Sequence, residues 1–256
     1  MKLLVPALLL PAWLGLWPSP VRAEITPANQ AEAASAFQAL DALARQTRMQ
    51  GELPRWSRPD QARVLARIWD ATATLGAPPY RSADIPALLT IGERAGAVYK
   101  TYLLFAPQTG SVPDTAANTL TFQDEITRIG AYLLQVQVAQ LEAATDFVGT
   151  LPPDQMNETR RKGVRMMRLG AVQQITGLTL MLRSPELRPE NRGLLLDALG
   201  ASVARLAAAT PITDRTAMIA QIDAVLPSLS AGERDKAKAL TSALGNRDCT
   251  GLCALE

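Results

Sequence analysis

Residues 119–183 decide the fold of this chain: TLTFQDEITRIGAYLLQVQVAQLEAATDFVGTLPPDQMNETRRKGVRMMRLGAVQQITGLTLMLR. The stretch contains two segments with helical periodicity, at about 121–148 and 156–182, which Pro152 and Pro153 separate. Apolar side chains cover most of the circumference of the first segment. They are Phe122, Ile126, Ile129, Leu133 and Val136 on one stripe, with Tyr132, Leu134, Val138 and Leu141 beside it. Helices of this kind are usually central in a bundle. We therefore predict a central antiparallel hairpin, 119–183, with both helices buried on more than one side.

The second segment has glycines at a regular spacing. Gly163, Gly170 and Gly177 recur every seven residues, next to a core stripe and flanked by Gln174 and Met181. Glycine within a helix costs about 0.8–1 kcal/mol relative to alanine, so some contact should offset the penalty. We expect a neighbouring helix to cross closely over the glycines. The alternative is a groove beside Gly170, walled by Met167, Gln174 and Met181, that admits an apolar ligand or a partner helix.

The N-terminal residues 1–23 have the features of a secretory signal peptide. Lys2 precedes an apolar run, and Val21-Arg22-Ala23 has the small-x-small pattern of a cleavage site. The run is shorter than the roughly 20 residues that a membrane span needs, and no second run follows. We expect cleavage, a mature chain from about Glu24, a periplasmic or secreted location and no transmembrane segment; retention as an anchor is the alternative.

Charge and composition favour a soluble helical protein. The chain has 26 basic and 24 acidic residues, and removal of Lys2 and Arg22 leaves 24 of each. A mature net charge of zero gives no indication of nucleic-acid binding. Apolar residues make up 48% of the chain but aromatic residues only 5%, which is typical of a core built from Leu, Ala, Ile, Val and Met. No alternating run bounded by turn residues indicates a strand pair.

Helix start and stop signals divide the remainder of the chain. Thr26-Pro27, Asp84 and the capping-box pattern Ser230–Glu233 mark starts, while Gly51, Gly76 and several prolines mark stops. We predict an all-α fold, a bundle of about eight helices. The predicted units are a signal peptide (1–23), an N-terminal helical unit (24–106), a linker or loop (107–118), a C-terminal bundle (119–245) and a tail (246–256).

The two cysteines of the chain, Cys249 and Cys253, lie in the predicted tail. In an exported protein such a pair most simply forms a local disulfide, and Gly251 suits the tight turn. The spacing is not C-x-x-C, which disfavours redox activity, and two thiolates without histidine make a poor metal site.

The chain contains no histidine, which excludes histidine-dependent catalysis and His-ligated zinc within this chain. No phosphate-binding glycine-lysine loop and no dinucleotide fingerprint is present. We expect no cofactor and no metal. A hydrolase that uses only a carboxylate is the weakest alternative, with Glu93 as the candidate acid.

Two groups of arginines are the remaining candidates. Arg55, Trp56 and Arg58 are central to the first group, which also includes Arg45, Arg48, Arg63 and Arg67. Guanidinium groups beside an indole suit a phosphate, carboxylate or glycan, whereas pairing with Asp41 and Asp70 would make the group purely structural. In the second group, Arg161, Arg165 and Arg168 are expected to pair with Glu142 and Asp146 across the hairpin.

The sequence resembles no family that we recognise, and it does not specify an activity. It favours a non-catalytic interaction or scaffold module of the bacterial envelope whose partner is another envelope protein. A carrier of an apolar small ligand is the alternative.

Overall fold

The computed structural model describes residues 25–107, 111–246 and 252–254. All regular structure in these ranges is helical, which confirms the predicted all-α class. The α-helices are α1 (Pro27–Arg48), α2 (Pro59–Trp69), α3 (Ala71–Leu75), α4 (Ile85–Leu103), α5 (Thr115–Thr121), α6 (Gln123–Thr150), α7 (Glu158–Arg183), α8 (Pro189–Ala209), α9 (Ile212–Asp223) and α10 (Ala231–Leu244). Short 3₁₀ turns occupy Ser82–Asp84, Pro153–Gln155, Leu226–Ser228 and Leu252–Ala254.

Side-chain caps explain several helix starts. Thr26 and Asn29 form a capping box at α1, where Pro27 takes the first helical position. Ser230 and Glu233 form the predicted capping box at α10, and the Ser230 amide lies 2.8 Å from Glu233 Oε2. These short polar signals therefore place the helix ends where the sequence indicated.

Two of the described helices, α3 and α5, are not among the roughly eight that the sequence predicts. The start signal near Ser57 or Pro59 and the stop at Gly76 predict one helix to Leu75, but the chain breaks at Asp70, whose carboxylate accepts a hydrogen bond from the Ala73 amide at 3.0 Å and caps α3. The predicted linker 107–118 contains the start of α5, because Asp114 caps that helix through the Ala117 amide at 3.0 Å. A capping aspartate thus divides one predicted helix into two and starts another within the predicted linker.

The helix α6 lies between two hydrophobic cores. One side of it, including Ile126, Ile129 and Tyr132, packs with apolar residues of α1 to α4. Its other side, including Leu134 and Leu141, packs with α7 to α10. The predicted central position of this helix is therefore correct. The division into units 24–106 and 119–245 stays a prediction, but α6 belongs to the packing of both.

The helices α6 and α7 are antiparallel neighbours joined by reciprocal glutamine bonds. Gln137 donates its side-chain amide to the Met167 carbonyl and Gln174 to the Gly130 carbonyl, each at 3.1 Å. Only one side of α7 is buried, however. The expectation that both helices of the hairpin are buried on several sides is wrong for α7, and the centre of the fold is α6 alone.

Two predictions concern residues outside the described ranges. The signal peptide (1–23) lies wholly outside them. So does Cys249, and the proposed Cys249–Cys253 disulfide therefore stays a prediction. Within the tail, Leu252 and Cys253 are buried against the body of the protein.

Candidate functional site

The arginine–tryptophan cluster forms a structured contact between the α1–α2 loop and the N-terminal end of α6. Arg55 Nη2 donates to the Thr121 carbonyl at 2.6 Å, and its Nε lies 3.7 Å from Glu125 Oε1. The same guanidinium lies over the Phe122 ring, with Cζ 4.7 Å from the ring centroid. Arg55 thus connects the loop to the junction of α5 and α6 through three different contacts.

The neighbours of Arg55 are engaged in similar ways. Arg58 pairs with Glu52 at 2.6 Å. The indole of Trp56 is covered by Arg128, whose Cζ lies 4.0 Å from its ring centroid. Arg55 and Arg58 do line one open groove of about 330 Å³, together with Ser57 and Phe105. Anion binding in this groove stays a prediction, although both guanidinium groups already have acceptors within the chain.

The carboxylates that were expected to neutralise this loop have other partners. Asp41 pairs with Arg94 on α4 at 2.5 Å, and Asp70 caps α3. Arg67 pairs instead with Glu32 at 2.9 Å. The expected pairing with Asp41 and Asp70 is therefore wrong, because α1 presents Asp41 to α4 rather than to the loop.

Glu125 is a buried acid that the sequence interpretation missed. Its side chain is 1% exposed, it accepts a hydrogen bond from the Trp56 amide, and its Oε2 has no hydrogen-bond partner among the described residues. Burial raises the pKa of the Glu125 carboxyl despite the Trp56 amide and the nearby Arg55 guanidinium. Its position one residue from Ile126, within a strongly apolar helix, was the available signal.

Among the described residues, no helix crosses closely over the glycines of α7. A Cβ added to Gly163 or Gly177 would meet nothing within 4 Å in the described part of the protein. At Gly170 it would meet only the Gln137 side chain, at 3.5 Å. The expected close crossing over this face is therefore wrong. The close crossing lies elsewhere, at Gly92 of α4, where an added Cβ would be 2.9 Å from Gln140 Nε2 of α6.

The other residues of the predicted groove are partly committed to packing. Gln174 gives its amide to the Gly130 carbonyl, as described above. Met167 and Met181 are partly buried, and Met181 touches both hydrophobic cores. Gly170, Gln174 and Met181 thus lie along the border between the α6 contact and solvent, and their role in ligand binding stays a prediction.

Large apolar side chains on α7 face solvent beside the glycines. Met166 is 58% exposed, Leu169 45% and Leu180 56%. We call the surface formed by Gly163, Met166, Leu169, Gln173, Gly177 and Leu180 the α7 outer face. Its apolar residues recur at helical spacing and have no covering element in the described ranges, which distinguishes them from scattered exposed hydrophobic residues.

Exposed basic residues lie at the N-terminal end of α7. They are Arg161, Lys162 and Arg165. The predicted partners of Arg161 and Arg165 are taken by other cations: Glu142 pairs with Arg205 at 3.5 Å and Asp146 with Arg81 at 2.9 Å. The expected pairing across the hairpin is therefore wrong, because the side of α6 that carries these acids faces α8 and the turn before α4.

Arg168, the third member of the second arginine group, does not form the predicted pair across the hairpin either. It is 5% exposed and donates to the Leu252 carbonyl at 2.9 Å, so that it holds the tail against α7. Burial lowers the pKa of its guanidinium. Within the second arginine group, Arg168 therefore makes a buried contact with the tail, whereas Arg161 and Arg165 are exposed at the N-terminal end of α7.

A second open groove lies between α1 and α4. Its volume is about 460 Å³, and its lining is largely apolar, with Ala33, Phe37 and Ile91 among the lining residues. Arg94 also lines it, with Cζ 5.7 Å from the Phe37 ring centroid. This groove could hold an apolar ligand, and it lies away from the glycine face.

Glu93 is exposed on α4. No group of three or more His, Cys, Asp or Glu side chains is placed to hold a metal ion within the described ranges. None of the described helices combines the length and hydropathy needed to cross a bilayer.

Comparison with protein-family models, curated proteins and solved structures finds no match to this chain.

Proposed function

We propose that this protein is an exported, non-catalytic interaction module of the bacterial envelope that binds another protein through the α7 outer face. The observation that carries the proposal is the exposure of Met166, Leu169 and Leu180 beside helical glycines with open space above them. Exposed apolar surface that follows one helix face is typical of protein-binding surfaces.

The energetic cost of glycine within a helix also supports a partner on the α7 outer face. Helical glycines at Gly163 and Gly177 each cost about 0.8–1 kcal/mol relative to alanine. Since no described residue lies above them, packing within this part of the chain does not offset that cost. A bound partner that approaches the helix backbone closely would offset it.

Site-specific photocrosslinking tests the proposal. A benzophenone side chain at Gln173, in the middle of the α7 outer face, should give one discrete adduct with another protein in cells that export the chain. The matched control places the same group at Lys238, an exposed position of α10, and should give no discrete adduct. Gly177→Gln should remove the Gln173 adduct. Identical adduct patterns from both positions would refute the proposal.

A carrier of an apolar small molecule is the second candidate, and the groove between α1 and α4 favours it. Ala34 lines this groove and is exposed. Ala34→Trp should fill the groove and abolish binding of a fluorescent fatty acid, whereas Gly177→Gln should leave it unchanged. Absence of fatty-acid binding to the unaltered protein would remove this candidate.

A further inference from the structure

We infer that the partner of the α7 outer face presents one α-helix with acidic flanks, which lies along α7 from Gly163 to Leu180. The inference rests on the proposed function and specifies the chemistry of the partner. It follows from three properties of the face: a seven-residue repeat, open space above two glycines, and a basic flank without carboxylate partners.

The repeat gives the face the geometry of a coiled-coil seam. Gly163, Gly170 and Gly177 occupy one position of a heptad, and Met166, Gln173 and Leu180 occupy the position three residues later. Sites that alternate in this way at three and four residues lie along a nearly straight line on a helix. From Gly163 to Leu180 the seam is about 26 Å long at 1.5 Å per residue. A straight helix matches this shape.

The glycines make the seam suitable for a close approach. Without side chains at Gly163 and Gly177, large apolar side chains of a partner helix can enter the space between Met166, Leu169 and Leu180. A lipid surface fits less well, because the polar Gln173 lies in the middle of the face and Gly163 and Gly177 have no side chains to insert.

Charge specifies the flanks of the partner. The helix α7 carries six basic residues and one acid, Glu158. Lys162 and Arg165 lie beside the seam, are exposed, and have no carboxylate within 4.0 Å among the residues that the structure describes. Acidic residues on the partner would complement them. A second copy of α7 would not, because it adds six further basic residues and one acid.

Two synthetic helical peptides provide the probes. Each has three heptads, about 21 residues, with the same leucine seam; one has glutamates at the flanking positions and the other lysines. Binding to the purified full chain is measured by fluorescence anisotropy at low salt. The glutamate peptide should bind about fivefold more tightly than the lysine peptide, as expected for two exposed ion pairs. The preference should decrease when salt is raised.

Gly163→Gln and Gly177→Gln should each abolish binding of the glutamate peptide while the protein stays folded. Gly149→Gln is the matched control, because Gly149 is also an exposed helical glycine with nothing within 4 Å. It should leave binding unchanged. Binding that survives both seam substitutions would overturn the inference.

Other outcomes separate this inference from the function it rests on. Equal affinity for the two peptides would overturn the acidic partner, while the Gln173 crosslink in cells would still support an interaction module. Absence of the Gln173 crosslink in cells would overturn the proposal that the protein is an interaction module, even if the purified chain binds the glutamate peptide. Attachment to phosphatidylglycerol vesicles that Gly177→Gln abolishes would assign the face to a membrane surface. Self-association with the same sensitivity, measured by analytical ultracentrifugation, would assign it to a second copy.

Discussion

Buried charged residues determine contacts between helix ends, loops and the tail that the hydrophobic pattern of the sequence does not predict. Glu125, Arg168 and Arg215 are each no more than 5% exposed. Arg215 donates to the Leu244 and Asn246 carbonyls at the end of α10, and thereby satisfies backbone acceptors that the helix itself cannot. Single charged residues therefore join the ends of elements that are far apart in the sequence.

Glu125 should make stability depend on pH. Because its folded pKa is raised above the usual value of 4.5, the folded state holds the proton more tightly than the unfolded chain does. Its contribution to stability is present below the unfolded pKa and is lost as pH rises through the folded pKa. Glu125→Gln should therefore stabilise the protein more at pH 7 than at pH 4, as measured by thermal unfolding. An equal effect at both pH values would contradict the assignment.

Arg168 should hold the tail. Arg168→Met removes the donor to the Leu252 carbonyl and should lower the free energy of unfolding by about 1–3 kcal/mol, the cost of an unsatisfied buried polar group. Arg165→Met changes an exposed arginine of the same helix and should stay within about 0.5 kcal/mol. Chemical denaturation compares the two variants. Equal decreases in the free energy of unfolding would show that the contact between Arg168 and the tail does not stabilise the protein more than an exposed arginine does.

Individual helices illustrate what periodicity predicts and what it omits. The all-round apolar pattern of α6 identified the central helix, because a helix with so much apolar surface must be covered on several sides. The glycine repeat of α7 was misread, since glycine is equally compatible with a tight internal contact and with an open surface. The pattern locates small residues but does not specify which helix, if any, covers them.

Glycine substitutions should distinguish an open helix surface from a tight internal contact, because the change in unfolding free energy should have opposite signs. Gly177→Gln adds a side chain over open space and should stabilise the protein by up to about 1 kcal/mol through helix propensity. Gly92→Gln places a side chain against Gln140, whose amide donates to the Leu88 carbonyl, and should destabilise it by about 1–3 kcal/mol. Urea denaturation measures both. Destabilisation by Gly177→Gln would show that the α7 outer face is covered within the chain.

At the scale of the whole molecule, α6 joins the two hydrophobic cores. The sequence indicated a boundary near 107–118 from prolines and polar residues. The contact of α6 with both cores could not be predicted from the sequence. The hydrophobic pattern of a helix shows how much of its surface is apolar, but it does not show which helices cover each side. The same limit applies to the arginine–carboxylate pairs, whose partners depend on the rotation of each helix.

A fragment of residues 119–245 should therefore be incompletely folded. Without the N-terminal helices, the side of α6 with Ile126, Ile129 and Tyr132 would face water. We expect the fragment to bind the dye ANS strongly and to give poorly dispersed NMR spectra, whereas the full chain unfolds in one cooperative transition. A well-dispersed spectrum from the isolated fragment would instead support two separate domains.

Thiol protection of the α7 outer face tests the central claim most directly. Leu169→Cys should react with maleimide as readily as Lys238→Cys in the purified protein, because both positions are exposed. In intact cells that produce and export the protein, Leu169→Cys should be protected by the partner while Lys238→Cys still reacts. Equally rapid labelling of both cysteines in those cells would contradict the account.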